Sequence, residues 1–489
     1  MTRPDLNRRL STQDASFLYA EKPNQPMHVG MVAIYAGRLT RQAVLDALRS
    51  RLHLLPRYRQ RLMFPPFGIA HPTWEDDPAF ELERHVEEHT LPAPGNREAL
   101  SRVAGELYAP LMDRTRPMWQ LYLLHGYEDG QTAMLWKIHH CMVDGVSSVE
   151  LLLVMHDLTA KSVPPEPPAA PWQPQPLPDP LTLFQDAVRD VSTEAAAAWT
   201  DRSFETLRPG VAAERARQMN TAYTTSLPFV TRPAPRTPFN GPISGQRHFT
   251  WFECAFADVR AIRTALGGTV NDVVLTLVAG ALRRYLLAHG YPVEGVELRA
   301  MCPVSMRRPE EQGALGNLVS MMIAPLYVGI ADPVARLARE RQTMEQLKRD
   351  GQAAAFYALS DLARNVPVPM QVYSAQSNAP NTLLNTVSTN VPGPQIPLYL
   401  NGHELRHYYG VGILSNGIGL FVAITSYNQR LAFGLLADPQ LVPDNWFVAE
   451  CFEQSFDELL GAARAAGAPA ENPPAARPRQ ATAAGQRDG

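Results

Sequence analysis

The sequence predicts an α/β fold, α+β in the way its elements segregate: two mixed domains of similar size joined by a proline-bounded helical connector. Three observations carry this. The chain has 489 residues, enough for two or three domains at roughly 100–200 residues each. Helical and strand patterns occur together on both sides of the middle of the chain. Between them lies a stretch too rich in proline for regular structure. With 45% hydrophobic and 19% charged residues, the composition is that of a globular protein with a sizeable core.

MHVGMVAIYAG, 27–37, is rich in β-formers and reads as a strand. LTRQAVLDALRSRL, 39–52, spaces its apolar residues as an amphipathic helix does. TAMLWKIHH, 132–140, reads as a second strand and VSSVELLLVMHDLTA, 146–160, as a helix. These define an N-terminal domain over 1–161. From 162 the composition shifts, with nine prolines between Pro164 and Pro180. Such a run forms neither helix interior nor central strand and acts as a stiff spacer. Helical stretches at about 183–199 and 212–219 and a second proline-rich run at 228–245 complete a connector over 162–245. The C-terminal domain spans 246–465: RHFTWFECAF reads as a strand, and DVRAIRTAL and NDVVLTLVAGALRRYLLAHG as helices. YYGVGILSNGIGLFVAITSY, 408–427, reads as two buried strands around an Asn-Gly hairpin turn. Residues 466–489 hold almost no large apolar side chain and should be disordered.

Several function classes are excluded. A net charge of −3 leaves no basic excess to neutralise phosphates, so no nucleic acid partner is expected. Cys141, Cys254, Cys302 and Cys451 form no CxxC pair, which speaks against a metal site or a disulfide framework and for a reducing cytosol. MTRPDLNRRLSTQDASF has no apolar signal core. No window offers about 20 uninterrupted apolar residues, so membrane contact, where it occurs, is peripheral.

The chemistry concentrates in KIHHCMVDG, 137–145. Side chains alternate along a strand, so if the strand runs through the pair, one of His139 and His140 faces the reaction and the other the structure. A neutral imidazole is the side chain best suited to accept a proton near pH 7. Asp144 either holds a ring by hydrogen bonding or pairs with an arginine, and spacing does not choose. Gly145 permits the tight backbone at the strand-to-helix junction. Adjacent, opposed histidines make poor metal co-ligands, and no GxSxG elbow is present.

HHCMVDG matches the HHxxxDG motif of the CoA-dependent acyltransferase superfamily. LSTQDASFLYAEKPNQPMHVG (10–30), DRTRPMWQLYLLHG (113–126), TVNDVVLTLVAGALRRYL (269–286), PVSMR (303–307), LGNLVSMM (315–322) and STNVPGP (388–394) resemble, in order, the signatures of bacterial wax ester synthase/acyl-CoA:diacylglycerol acyltransferases. Met118 stands where that family has leucine, a volume-conserving change. Ser148 stands where glycine is frequent, which bears on substrate preference. The resemblance implies two chloramphenicol-acetyltransferase-like domains around a central tunnel. It implies transfer of a long acyl chain from acyl-CoA, a substrate rather than a cofactor, to a fatty alcohol or diacylglycerol. His140 would be the general base in a ternary complex and His139 would support the site's geometry. Asp144 would be structural, paired with Arg307. Asn271 is either the oxyanion donor or the cap of a helix beginning at Asp272. Pro117 and Trp119 read as packing residues. The apolar segments at 318–326 and 411–424 either line the acyl tunnel or are ordinary buried strands. A cytoplasmic protein resting on the inner membrane face or on lipid droplets follows. Two alternatives remain: a condensation-domain-type enzyme using carrier-bound or amine substrates, and an inactive acyl-lipid-binding or lipid-droplet protein. A plant-type acyltransferase is disfavoured by the lack of DFGWG.

Overall fold

The computed structural model describes residues 8–143, 148–205, 231–305, 319–363 and 366–467, with scattered positions between 210 and 224. The N-terminal half runs α1 (Thr12–Ala20), β1 (His28–Tyr35), α2 (Arg41–Arg51), β2 (Gln60–Met63), β3 (Thr73–Asp76), β4 (Val86–Thr90), α3 (Arg97–Tyr108), β5 (Trp119–Tyr127), β6 (Gln131–His139) and α4 (Ser148–Met155). An extended stretch and α5 (Pro180–Glu205) follow. Then come β7 (His248–Ala255), α6 (Phe256–Leu266), α7 (Val270–Ala288), β8 (Leu298–Ser305), β9 (Val319–Leu326), α8 (Pro333–Arg349), α9 (Gln352–Ala363), α10 (Val368–Ala375), β10 (Thr386–Pro392), β11 (Tyr399–Leu400), β12 (His403–Val411), β13 (Leu420–Tyr427), β14 (Arg430–Ala437) and α11 (Asn445–Ala465).

Local chemistry sets these boundaries. Thr40 caps α2 by accepting from the Ala43 N–H, and Val44, Leu45 and Leu48 give the helix one buried face. At α7, Thr269 and Asp272 form a reciprocal capping box. That helix is buried on nearly every side, because α11, α8 and α6 pack around it. Every residue of β13 is buried, in keeping with its five consecutive apolar residues from Leu420 to Ile424.

Two six-stranded sheets result, ordered β11-β12-β1-β6-β5-β4 and β7-β14-β13-β10-β8-β9. The strand period of two divides their side chains between layers. Met31, Ala33, Met134 and Trp136 face an outer core of the N-terminal half. Their neighbours Val32, Ile34, Ala133 and Leu135 meet Phe249, Ile323, Val387 and Phe421 of the other half in an apolar layer between the sheets. The approach is close enough to demand glycine: a Cβ on Gly434 would fall 2.0 Å from the Gly410 carbonyl oxygen.

Two expectations are corrected here. The C-terminal unit is not the contiguous 246–465, because β11 and β12 complete the N-terminal sheet and β12 pairs antiparallel with β1 from Gly30↔Val411 to Tyr35↔Leu405. Leu398, Leu400, Leu405 and Tyr408 accordingly belong to the N-terminal core. For the same reason Asn416-Gly417 is not a hairpin turn between paired strands. The chain leaves one sheet at Val411 and enters the other at Leu420. Asn-Gly still makes a tight turn, with Gly417 at φ +93° and a single bridge between Ser415 and Ile418, but it lies inside a crossover.

α4 also ends earlier than its apolar pattern. His156, just beyond it, hydrogen-bonds Tyr35 Oη at 2.7 Å, and Asp157 forms a bridge to Tyr399. The connector straps onto the N-terminal half: Arg8 pairs with Asp186, Arg9 with Asp190, and Trp172 lies under the Arg59 guanidinium. The expected helix at 212–219 is only partly within the described residues, and 468–489 lies outside them.

Candidate active site

β6 stops at His139. The His140 N–H donates to the Met27 carbonyl at 2.8 Å, and the chain turns into a 3-10 turn, His140–Met142. His139, in register with His28 on β1, points to the same side as Leu135, into the layer between the sheets. It is completely buried. Its Nδ1 accepts from the Cys141 N–H at 3.2 Å, so a proton sits on Nε2.

That proton faces Glu21. Glu21 follows the last turn of α1, and its side chain is 1% exposed. Oε1 lies 3.3 Å from His139 Nε2 and 3.4 Å from His28 Nε2, more an electrostatic contact than a well-aligned hydrogen bond. Oε2 accepts from both Arg114 Nε (3.1 Å) and Arg114 Nη2 (2.7 Å). Burial opposes the carboxylate's charge. The N–H groups of His139, His28 and Arg114 more than offset it and hold the group well below the usual carboxylate range. His28 goes the other way: burial outweighs Glu21 and brings its imidazole down to about 4. Lys137, two residues before His139, is also buried. It donates to the carbonyls of Leu107 in the last turn of α3 and of Pro110 just beyond it, and burial lowers its ammonium to about 7.

His140 is set differently. It is only half-buried, and Phe17 of α1 stacks on its ring with centroids 3.8 Å apart and planes at 12°. Nδ1 is buried, and among the described residues the ring's one hydrogen-bonding neighbour is the residue's own backbone. Desolvation holds the ring down to about 4, so at neutral pH it is an uncharged proton acceptor.

Asn271 lies in the first turn of α7 but does not cap it. Thr269 is the cap and Asp272 its partner, so the capping alternative is overturned. The Asn271 Oδ1 instead accepts from Asn390 Nδ2 of β10 at 3.4 Å. This brings together TVNDVV and STNVPGP, which the sequence alone leaves apart. Among the described residues no hydrogen bond joins either asparagine to either histidine. Asp144, Gly145 and Arg307 lie outside the described residues. Trp119 is packed as expected: it is 2% exposed, donates to the Tyr58 carbonyl at 2.9 Å and stacks on His85. β9 is shared between two cores, with Met322 and Ala324 in one and Ile323 in the other.

Sequence reasoning missed Phe17, Glu21, His28 and Arg114. Glu21 and Arg114 are 93 positions apart, and no local pattern joins them. The one visible signal is an acidic residue placed between a helix and the apolar run at 27–37. A cavity of about 800 Å³ opens elsewhere, between α3 and residues 245–248, walled by Pro94, Arg102, Arg247 and Trp446. None of its lining residues belongs to the histidine site.

The family model for the wax ester synthase/diacylglycerol acyltransferase catalytic domain matches residues 10–274, and the model for the C-terminal domain of that family matches 315–460. A Mycobacterium tuberculosis protein named "probable diacylglycerol O-acyltransferase" is 31% identical over 456 residues, covering 92% of this chain and 95% of that one. The solved wax ester synthase/diacylglycerol acyltransferase of Marinobacter aquaeolei is 28% identical, with a TM-score of 0.65 over 93% of this chain and all of that one. The first condensation domain of the calcium-dependent antibiotic synthetase shares the fold, with a TM-score of 0.58 at 15% identity over 94% of this chain and 96% of that one. The chain belongs to the wax ester synthase/diacylglycerol acyltransferase family of acyltransferases.

Proposed function

We propose that the protein transfers a long-chain acyl group from acyl-CoA to the hydroxyl of a fatty alcohol or a diacylglycerol, with His140 as general base. The observation that carries this is the division between the two histidines. His139 is sealed against Glu21 and Cys141, while His140 is half-open, neutral and held in place by Phe17.

The acceptor O–H gives its proton to His140 Nε2 as its oxygen attacks the thioester carbonyl. The tetrahedral intermediate collapses, the C–S bond breaks, and the CoA sulfur leaves with the proton returned by His140. The products are an ester and free CoA. Both substrates bind together, so proximity supplies several kcal/mol of the barrier reduction. The amide of Asn271, free of capping duty, is the donor assigned to the oxyanion, with Asn390 orienting it. No cofactor enters the reaction.

The lipid substrates place the enzyme at a membrane or lipid-droplet surface, reached from the cytoplasm. All four cysteines are unpaired and buried, in keeping with a reducing compartment. Among the described residues no single helix is long and apolar enough to cross a membrane. The bent pair α6–α7 passes by composition, but α7 is a buried core helix.

Thiol release from palmitoyl-CoA, with hexadecanol or dioleoylglycerol as acceptor, tests the reading. CoA should appear only with an acceptor, together with an ester, and His140→Ala should abolish it. Full activity in folded His140→Ala would overturn the mechanism. Release with neither acceptor in folded wild type would overturn the substrate class.

A further inference from the structure

From Asn365 to His403 the sequence contains no Asp, Glu, Lys or Arg. At the chain's overall 19% charged, a stretch of that length carries about seven. The later part of it enters β10 and β11 and is largely interior. The earlier part is not: from 366 to 383 no residue is buried, so an uncharged segment lies on the surface, where charge is normally densest.

This segment contains α10. Pro367 and Pro369 fix the start of the helix and lower the entropy lost when it docks. Met370 and Tyr373, three apart and hence on one face, are 62% and 84% exposed, and Val366 just before the helix is 38% exposed. On its other side α10 lies along α1, the helix whose Phe17 stacks on His140. The loop after α10 is pinned: Lys22 donates to the Ser377 carbonyl at 2.7 Å and to Asn378 Oδ1 at 2.8 Å, and Asn416 Nδ2 to the Asn378 carbonyl at 2.7 Å. The exposed apolar residues thus sit on a fixed platform one helix away from the proposed base.

We propose that α10 and its flanks, 366–383, are the surface through which the protein docks on an uncharged or zwitterionic lipid layer, with Met370 and Tyr373 entering the interface. The lack of charge selects this occupant. A polar rim of paired charges orients a protein partner, and basic residues draw a protein to anionic lipid. This segment has neither, and the lysine nearest to it is engaged with its loop. Insertion of apolar and tyrosine side chains among headgroups needs no charge. The inference rests on the lipid substrates of the proposed function, because it sets the helix beside the base against the phase in which a diacylglycerol is dissolved.

The test uses the full chain and phosphatidylcholine vesicles containing dioleoylglycerol. Wild type should float with the vesicles equally well at low and high salt and without anionic lipid. Met370→Glu/Tyr373→Glu should lose binding by on the order of tenfold or more. It should lose thiol release with vesicle-borne dioleoylglycerol while keeping it with dissolved octanoyl-CoA and octanol. Tyr373→Trp should gain fluorescence that shifts to the blue when vesicles are added, which shows contact without disrupting it. Equal flotation of the double variant and wild type, or wild-type binding that high salt abolishes, overturns the proposal. Wild type that turns over dissolved substrates but does not float sinks this docking surface alone. Wild type that floats through these residues but releases no thiol with any acceptor leaves the surface standing and sinks the proposed function.

Discussion

The two halves of the molecule share a plan, six strands backed by helices, yet they differ in what they bury where they meet. The N-terminal half buries Glu21, His28, Lys137 and His139 at the end of its sheet, around a half-open His140. The C-terminal half brings two neutral amides, Asn271 and Asn390. Among the described residues, the buried charge around the two histidines thus lies in the N-terminal half, and the paired amides lie in the other. The neighbouring histidines repeat the contrast on a smaller scale. His139, completely buried beside a carboxylate and a backbone N–H, is a structural member of the site, while His140, not fully buried and stacked on Phe17, is the one proposed to react.

The largest effect falls on His140. Replacement by alanine should cut kcat by roughly 10²–10⁴, the range for a removed general base, with a smaller change in denaturation midpoint than at His139, which is completely buried. His139→Ala should do the opposite, costing stability first and activity through it. A His139→Ala protein of wild-type stability with no activity would erase the distinction.

Glu21 comes next. Removing one partner from a buried ion pair costs about 3–5 kcal/mol because the rest is left unpaired. Here Glu21→Ala leaves two buried imidazoles facing nothing, but Arg114 is 37% exposed and still donates to the Leu18 carbonyl, so the loss should fall below that range. Glu21→Gln keeps the shape and removes only the charge, so it should lose less. Chemical denaturation of both variants decides the matter, and two midpoints within error of wild type would show the network to be incidental.

Asn271 should matter less. Loss of an oxyanion donor costs about 10²–10³ in kcat at a well-aligned site, and the long 3.4 Å contact to Asn390 argues for the lower end. Asn271→Ala should lower kcat with little change in KM, and Asn390→Ala should lower it by a smaller factor. A pure KM effect from Asn271→Ala would assign the residue to binding.

How much of this was legible beforehand follows from the range of each interaction. Strands β1 and β6 and helices α2 and α7 are written in local periodicity and read well. The twin histidines at a strand end are equally local. The path of β12 is not, because its apolar pattern fits either sheet and only its pairing with β1, about 375 positions away, chooses. Glu21 stayed hidden for the same reason: its partners lie at 28, 114 and 139. Asn271 was ambiguous because asparagine is a good cap in general, and the ambiguity ended only when Thr269 was seen to fill that place.

The subtlest consequence of the asymmetry is in the response to pH. His28, His71, His85, His140 and His156 all lie in the N-terminal half, and burial brings each down to about 4. Unfolded, these groups titrate near 6.5, so between about 6.5 and 4 the unfolded state binds more protons and acid weakens this half. In the C-terminal half the completely buried Glu340 has the opposite sign, since burial lifts its carboxyl to about 8. Unfolded it ionises near 4.5, so the stability it contributes is complete below that and is lost as pH rises through 8. Hydrogen exchange resolved by segment should therefore show protection falling first in β1, β5 and β6 when pH drops from 7 to 5, and first in α8 and β9 when it rises from 7 to 9. The shifts should be on the order of 1 kcal/mol in opening free energy. Glu340→Gln should abolish the alkaline limb and leave the acid one. Uniform loss of protection across both halves at either extreme would mean that they open as one unit, joined by β12 and the apolar layer more strongly than their separate electrostatics divide them.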